Sequence, residues 1–145
     1  MESGVDCAGI NVMMFETKSR SRFEIERMAL ETAEYGCEGR VALLVISLDM
    51  IEKSGATEED LDGISAIPRT IEGVMVGITI RERQKDVYKV SMRTKDPAVR
   101  ACDICAKFGG GGHAGAAGCT LELPLEETKQ ELLQAAEEYL ESLHE

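Results

Sequence analysis

The chain has 145 residues, 43% of them apolar and only 4% aromatic, with no Trp; this suits one domain with an aliphatic core. Its net charge of −11 argues against general coating of nucleic acid, and no apolar run approaches the ~20 residues that span a bilayer. Five irregularly spaced cysteines and an acidic N-terminus argue against a disulfide framework and a secretory signal, so a cytoplasmic setting is expected.

Residues 6–16 predict a short helix. Residues 21–35 predict a longer amphipathic one, with Phe23, Met28, Leu30 and Ala33 toward one side and Gly36 and Gly39 as its stop. This N-terminal part reads as a connector or arm. The unbroken apolar run over 40–48 predicts a strand buried on both faces. Asp49 with Glu52, and Thr57 with Asp60, suggest the starts of two short helices; Ser54-Gly55 stops the first and Pro68 the second.

Two strands follow, over 74–82 and 87–93, joined by a turn at Gln84-Lys85-Asp86. The second alternates: Tyr88, Val90 and Met92 face one way, and Lys89, Ser91 and Arg93 the other. A helix is expected from Asp96-Pro97 to about Phe108, then a glycine loop, a strand over 117–123 and a C-terminal helix carrying Leu132, Ala136 and Leu140 at helical spacing. The sum is an α/β fold, a mixed sheet of about four to five strands flanked by helices.

Charge is unevenly placed. Residues 81–107 hold eight basic residues against four acidic ones, while 121–145 hold eight Glu against Lys129. A basic patch on an acidic body suits a small anionic ligand better than long duplex DNA. The segment Phe108–Gly118 is the most informative. Six of its eleven residues are Gly, and four of these are consecutive. Such a run is entropically costly, yet backbone N–H groups without Cβ atoms can wrap an anion closely. His113, at the end of the run, could donate to a phosphate oxygen or a base edge. The pattern is no Walker loop, because His-Ala rather than Lys-Ser/Thr follows, and no dinucleotide fingerprint, because a helix rather than a strand precedes it.

Gly-Gly-Gly-Gly-His-x-x-Ala-Ala-Gly, preceded by Asp103-Ile104-Cys105-Ala106-Lys107-Phe108, resembles the signature of the C-terminal domain of DHH phosphoesterases. Further blocks match: Ser21-Arg22-Phe23, Gly55-Ala56-Thr57, Ile71-Glu72-Gly73-Val74, Arg81-Glu82 and Ser91-Met92-Arg93-Thr94-Lys95. The resemblance covers about residues 8–143 and looks nearest the oligoribonuclease/3′-phosphoadenosine 5′-phosphate phosphatase class. It implies a helical linker over 1–38 from an absent catalytic domain, and a substrate-binding domain over 39–145. It implies that Gly110, Gly111, Gly112 and His113 form the substrate loop and that Arg93 is the substrate arginine. The expected ligand is a nucleotide or short single-stranded RNA, and self-association is a further possibility for a domain without its partner. The family's Asp-His-His ligands for two Mn²⁺ have no counterpart here, so no catalytic residue, metal or cofactor is assigned to this chain, which alone is expected to be inactive.

The same loop type occurs in cyclic-dinucleotide phosphodiesterases and RecJ-type exonucleases, which remain alternatives; a free-standing nucleic-acid-binding or self-association module is the non-enzymatic one. Cys102, Cys105, His113 and Cys119 give the right count for zinc, but the first two lie mid-helix without the usual turn between them.

Overall fold

The computed structural model describes residues 17–143; the helix expected over 6–16 lies outside them. Helix α1 (Arg20–Leu30) begins where the Ser19 hydroxyl accepts the Arg22 N–H. It buries Ile25, Glu26 and Ala29, whereas Phe23 and Leu30 face solvent. This corrects the expected apolar face. Ile25 and Ala29, four residues apart, form the seam, and Glu26 comes inside because Lys18 and Arg22 pair with it. The helix stops at Leu30, short of 35. The Thr32 hydroxyl donates to Ala29 O and accepts Val45 N–H, which turns the chain into the edge strand β1 (Glu34–Gly36). The described part of the 1–38 span thus packs on the body.

Strand β2 (Val41–Ile46) is buried at all six positions. Val41, Leu43 and Val45 enter the larger core; Leu44 and Ile46 join Ile25, Ala29, Leu61 and Ile64 in a second core on the other face. Helix α2 (Leu48–Ser54) is capped by Ser47, which accepts Met50 N–H, not by Asp49, and Gly55 ends it at φ +72°. Helix α3 (Glu58–Ile64) has the reciprocal cap expected of Thr57 and Asp60.

The Thr57 N–H holds the Asp60 carboxyl below its ordinary pKa, helped by the Ser21 hydroxyl. A depressed carboxylate stabilises the fold above the unfolded-state value of ~3.9 and loses that contribution as pH falls through the lowered value. Asp60→Asn is therefore expected to melt below wild type near neutral pH, with the gap narrowing as pH falls below the unfolded-state value. Thermal melts across that range check it; a constant gap would assign the effect to packing instead.

Strands β3 (Val76–Gln84) and β4 (Val87–Arg93) form a hairpin that turns through Asp86 at φ +57°. Tyr88, Val90 and Met92 enter the larger core, as their alternation requires. Helix α4 (Ala101–Ala106) is shorter than expected, because the Asp96 carboxylate accepts Ala98 N–H in a turn ahead of buried Val99. Then come β5 (Gly111–His113), β6 (Ala116–Leu121) and α5 (Leu125–Ser142).

The six strands run in the order β1-β2-β3-β4-β6-β5, with only β2 and β3 parallel. The strands not placed in the sequence are the three-residue edges β1 and β5, too short to show alternation, so the count of six slightly exceeds the expected four to five. Helices α4 and α5 cover one face of the sheet through Ile104, Leu132, Ala136 and Leu140. On the other face, helices α1 to α3 pack over β2 and β3. Beyond them Lys89, Thr120 and Gly111 lie exposed. Among the described residues, no helix is long and apolar enough to cross a membrane.

Candidate anion site on the open sheet face

Register sets out the site. Ser91 of β4 pairs with Thr79 on one side and Gly118 on the other, and Gly118 pairs with Gly111. One step along, Arg93 pairs with Gly77 and Ala116, and Ala116 pairs with His113. One step the other way, Lys89 pairs with Arg81 and Thr120. Directly opposed residues share a sheet face, so the alternation that buries Met92 sends Lys89, Ser91 and Arg93 to the open side.

On this face lies a pocket of about 280 Å³. Thr79, Arg81, Lys89, Ser91 and Arg93 line it from the central strands, and Gly111 and Gly112 from the edge. Leu61, Asp62 and Ser65, in and just after α3, form the opposite wall. The lining carries three cations against the single carboxylate of Asp62, so it favours an anion.

The cations are not equivalent. Arg81 is held by both terminal nitrogens to Glu58 at 2.7 and 2.6 Å, and these bonds raise its pKa further. The side chains of Lys89 and Arg93 have no hydrogen bond or ion pair among the described residues. Two buried polar atoms in the described structure lack a partner, Thr79 Oγ1 and Arg81 Nε, and both residues line this pocket. An unpaired buried polar atom costs about 1–3 kcal/mol, and both residues that carry one belong to this lining.

The glycines divide by role. Gly109 sits at φ +78°, which turns the chain out of α4. A Cβ on Gly110 would lie 2.1 Å from Gly118 O, and one on Gly112 would lie 2.7 Å from Ala117 Cα, so both are required by packing on β6. Gly111 alone of the four has neither constraint: its φ is not positive and a Cβ there meets nothing within 4 Å. Its bare backbone opens on the pocket.

Of the residues singled out in the sequence, Arg93, Gly111 and Gly112 come together in this pocket. Gly110 lines an adjoining groove with Arg83, Lys89 and Phe108. His113 is exposed on the row of Arg93, two strands away, at the rim rather than in the lining. The glycine run expected as a loop is a turn followed by strand β5, because the missing side chains let it lie flat against β6. Sequence reading places Arg81 in a matching block and a basic patch but assigns it no site role, and it does not single out Thr79. Thr79 stands inside an apolar stretch, and its lack of a partner is visible only in three dimensions.

Cys105 and Cys119 lie on the core side, behind the pocket. A shared hydrogen bond and burial push the Cys105 thiol upward, which keeps it neutral and unreactive. Cys119 and His113 therefore belong to opposite faces of the sheet. Among the described residues no three His, Cys, Asp or Glu gather as a metal would need.

An α/β sheet with one helix-covered face, a basic pocket on the other and a glycine edge strand defines the class: residues 39–142 match the family model described as the DHHA1 domain, and the chain belongs to that family. It is 36% identical over 121 residues to the bifunctional oligoribonuclease and PAP phosphatase NrnA of Thermus thermophilus, a match covering 83% of this chain and 35% of that protein. The chain thus spans about a third of that relative's length. In three dimensions it is similar to an exopolyphosphatase-related protein from Bacteroides fragilis, with a TM-score of 0.82, 26% identity and coverage of 99% of this chain and 42% of that one. The C-Ala domain of Aquifex aeolicus alanyl-tRNA synthetase shares the fold, with a TM-score of 0.50, 18% identity and coverage of 72% of this chain and 97% of that one.

Proposed function

We propose that this chain is the substrate-holding domain of a metal-dependent DHH phosphoesterase acting on short oligoribonucleotides or 3′-phosphoadenosine 5′-phosphate. The observation that carries this reading is the pairing of two uncommitted cations, Lys89 and Arg93, with the bare backbone of Gly111 in one pocket. Arg93 offers a planar donor fork, Lys89 a mobile point charge, and the edge strand backbone N–H groups that no side chain screens. Together they suit a phosphate with room for the sugar beside it. His113 on the rim would meet the ligand where it leaves the pocket. The metal ions, expected to be Mn²⁺, and the water they activate belong to another part of the parent protein. This domain's share of the work is to orient the phosphoester, a task of positioning rather than bond making. The relatedness to NrnA supports the choice of substrate class.

The chain itself tests this. It is expected to bind a 5′-phosphorylated diribonucleotide more tightly than the same dinucleotide without its phosphate, with affinity falling as salt rises. It is expected to turn over neither in the presence of Mn²⁺. Equal binding of the two probes would discard the phosphate pocket. Hydrolysis that tracks with the pure chain and stops on metal chelation would place the chemistry here and overturn the division of labour.

A further inference from the structure

We propose that the part of the pocket lined by Thr79 and Arg81 is a ribose-reading subsite in which the Thr79 hydroxyl meets the 2′-OH of a bound ribonucleotide. This rests on the phosphate-pocket reading above and adds to it a preference for RNA over DNA. Thr79 is 4% exposed, its Oγ1 has no partner among the described residues, and it lines the pocket. Two residues along the same strand, the Nε of Arg81 is also buried, unpaired and on the same face. The two orphaned groups thus belong to neighbouring lining residues on one face of β3.

A second phosphate suits them poorly. The terminal nitrogens of Arg81 are already engaged by Glu58, and the Asp62 carboxylate stands on the facing wall. A sugar hydroxyl is both donor and acceptor, so it can accept from Arg81 Nε–H while it exchanges a hydrogen bond with Thr79 Oγ1. Spacing agrees. Thr79 pairs with Ser91, so Arg93 is its diagonal neighbour across the hairpin, roughly 7–8 Å away. A phosphate on Arg93 and a sugar on Thr79 then belong to one nucleotide unit.

The test is a titration of the chain, followed by backbone NMR, with a 5′-phosphorylated diribonucleotide and its 2′-deoxy counterpart. Wild type is expected to favour the ribose form by roughly three- to tenfold, the value of one hydrogen bond. Thr79→Val keeps the shape and removes the hydroxyl. It is expected to bring ribose affinity down to the deoxy level, leave deoxy affinity unchanged, and melt no lower than wild type, since the lost hydroxyl has no partner. Thr79→Ser is expected to restore the preference. Equal affinities in wild type, or an equal loss for both probes in Thr79→Val, would overturn the subsite while leaving the phosphate pocket standing. If neither probe shifts the resonances of Arg93 and Gly111, the pocket reading itself fails and takes this one with it.

Discussion

In the phosphoesterase proposed above, replacing Arg93 by Ala is expected to lower kcat/KM at least tenfold without lowering the melting temperature. Arg93 reaches the pocket from a strand whose alternate residues, Val90 and Met92, are fully buried, so its backbone is firmly placed. Its guanidinium has no partner among the described residues, so the fold loses no ion pair with it. A charge-assisted hydrogen bond to a phosphate is worth about 1.5–3 kcal/mol, and losing it from the transition state costs tenfold or more. Arg93→Lys should recover only part of this, because the fork becomes a point charge. His113→Ala is expected to cost a comparable factor. Steady-state kinetics on these variants, with melts as the folding control, decide the matter. Near-normal kinetics for both Arg93→Ala and His113→Ala would falsify the binding assignment.

The second large effect separates two neighbouring glycines. Gly110→Val drives a Cβ to 2.1 Å from the Gly118 carbonyl oxygen and 2.6 Å from Cys119 Cβ, where backbone and core leave no give. Overpacking of this kind costs about 3 kcal/mol or more, a fall in Tm on the order of 10 °C for a domain of this size. Gly111→Val meets open space and should change stability by only about 0.5 kcal/mol. Yet its side chain would project into the pocket and bar the phosphate from the backbone. One variant should thus lose stability and the other only the ligand. Two melts and two binding isotherms read this out; a Gly111→Val protein that binds normally would show that the ligand does not approach β5.

The central strands were legible because packing imposes a period on them. In β2, both faces are buried and no polar residue interrupts the run; in β4, one face is core and the other is not, so apolar and polar residues alternate. Edges were less legible. Three residues of β1 and three of β5 cannot display a period, and β5 has no side chains before His113 to display it with. The face of α1 was misjudged because Glu26 is buried by its ion pairs, which composition cannot forecast. At the site, Arg93 and the glycines stood out by residue type. Thr79 did not, since a threonine in an apolar strand looks like any β-branched filler until its missing partner is seen.

The alternation along β4 also governs which changes this domain can survive over evolutionary time. Lys89, Ser91 and Arg93 can be exchanged one at a time without touching Tyr88, Val90 or Met92, so the lining of the pocket can drift while the core stays fixed. Deleting or inserting a single residue at the start of the strand does the opposite. It exchanges the two sets, turning the cations into the core and the apolar side chains out to the pocket. The strand should therefore be permissive to point substitution at every second position and intolerant of any change in its length.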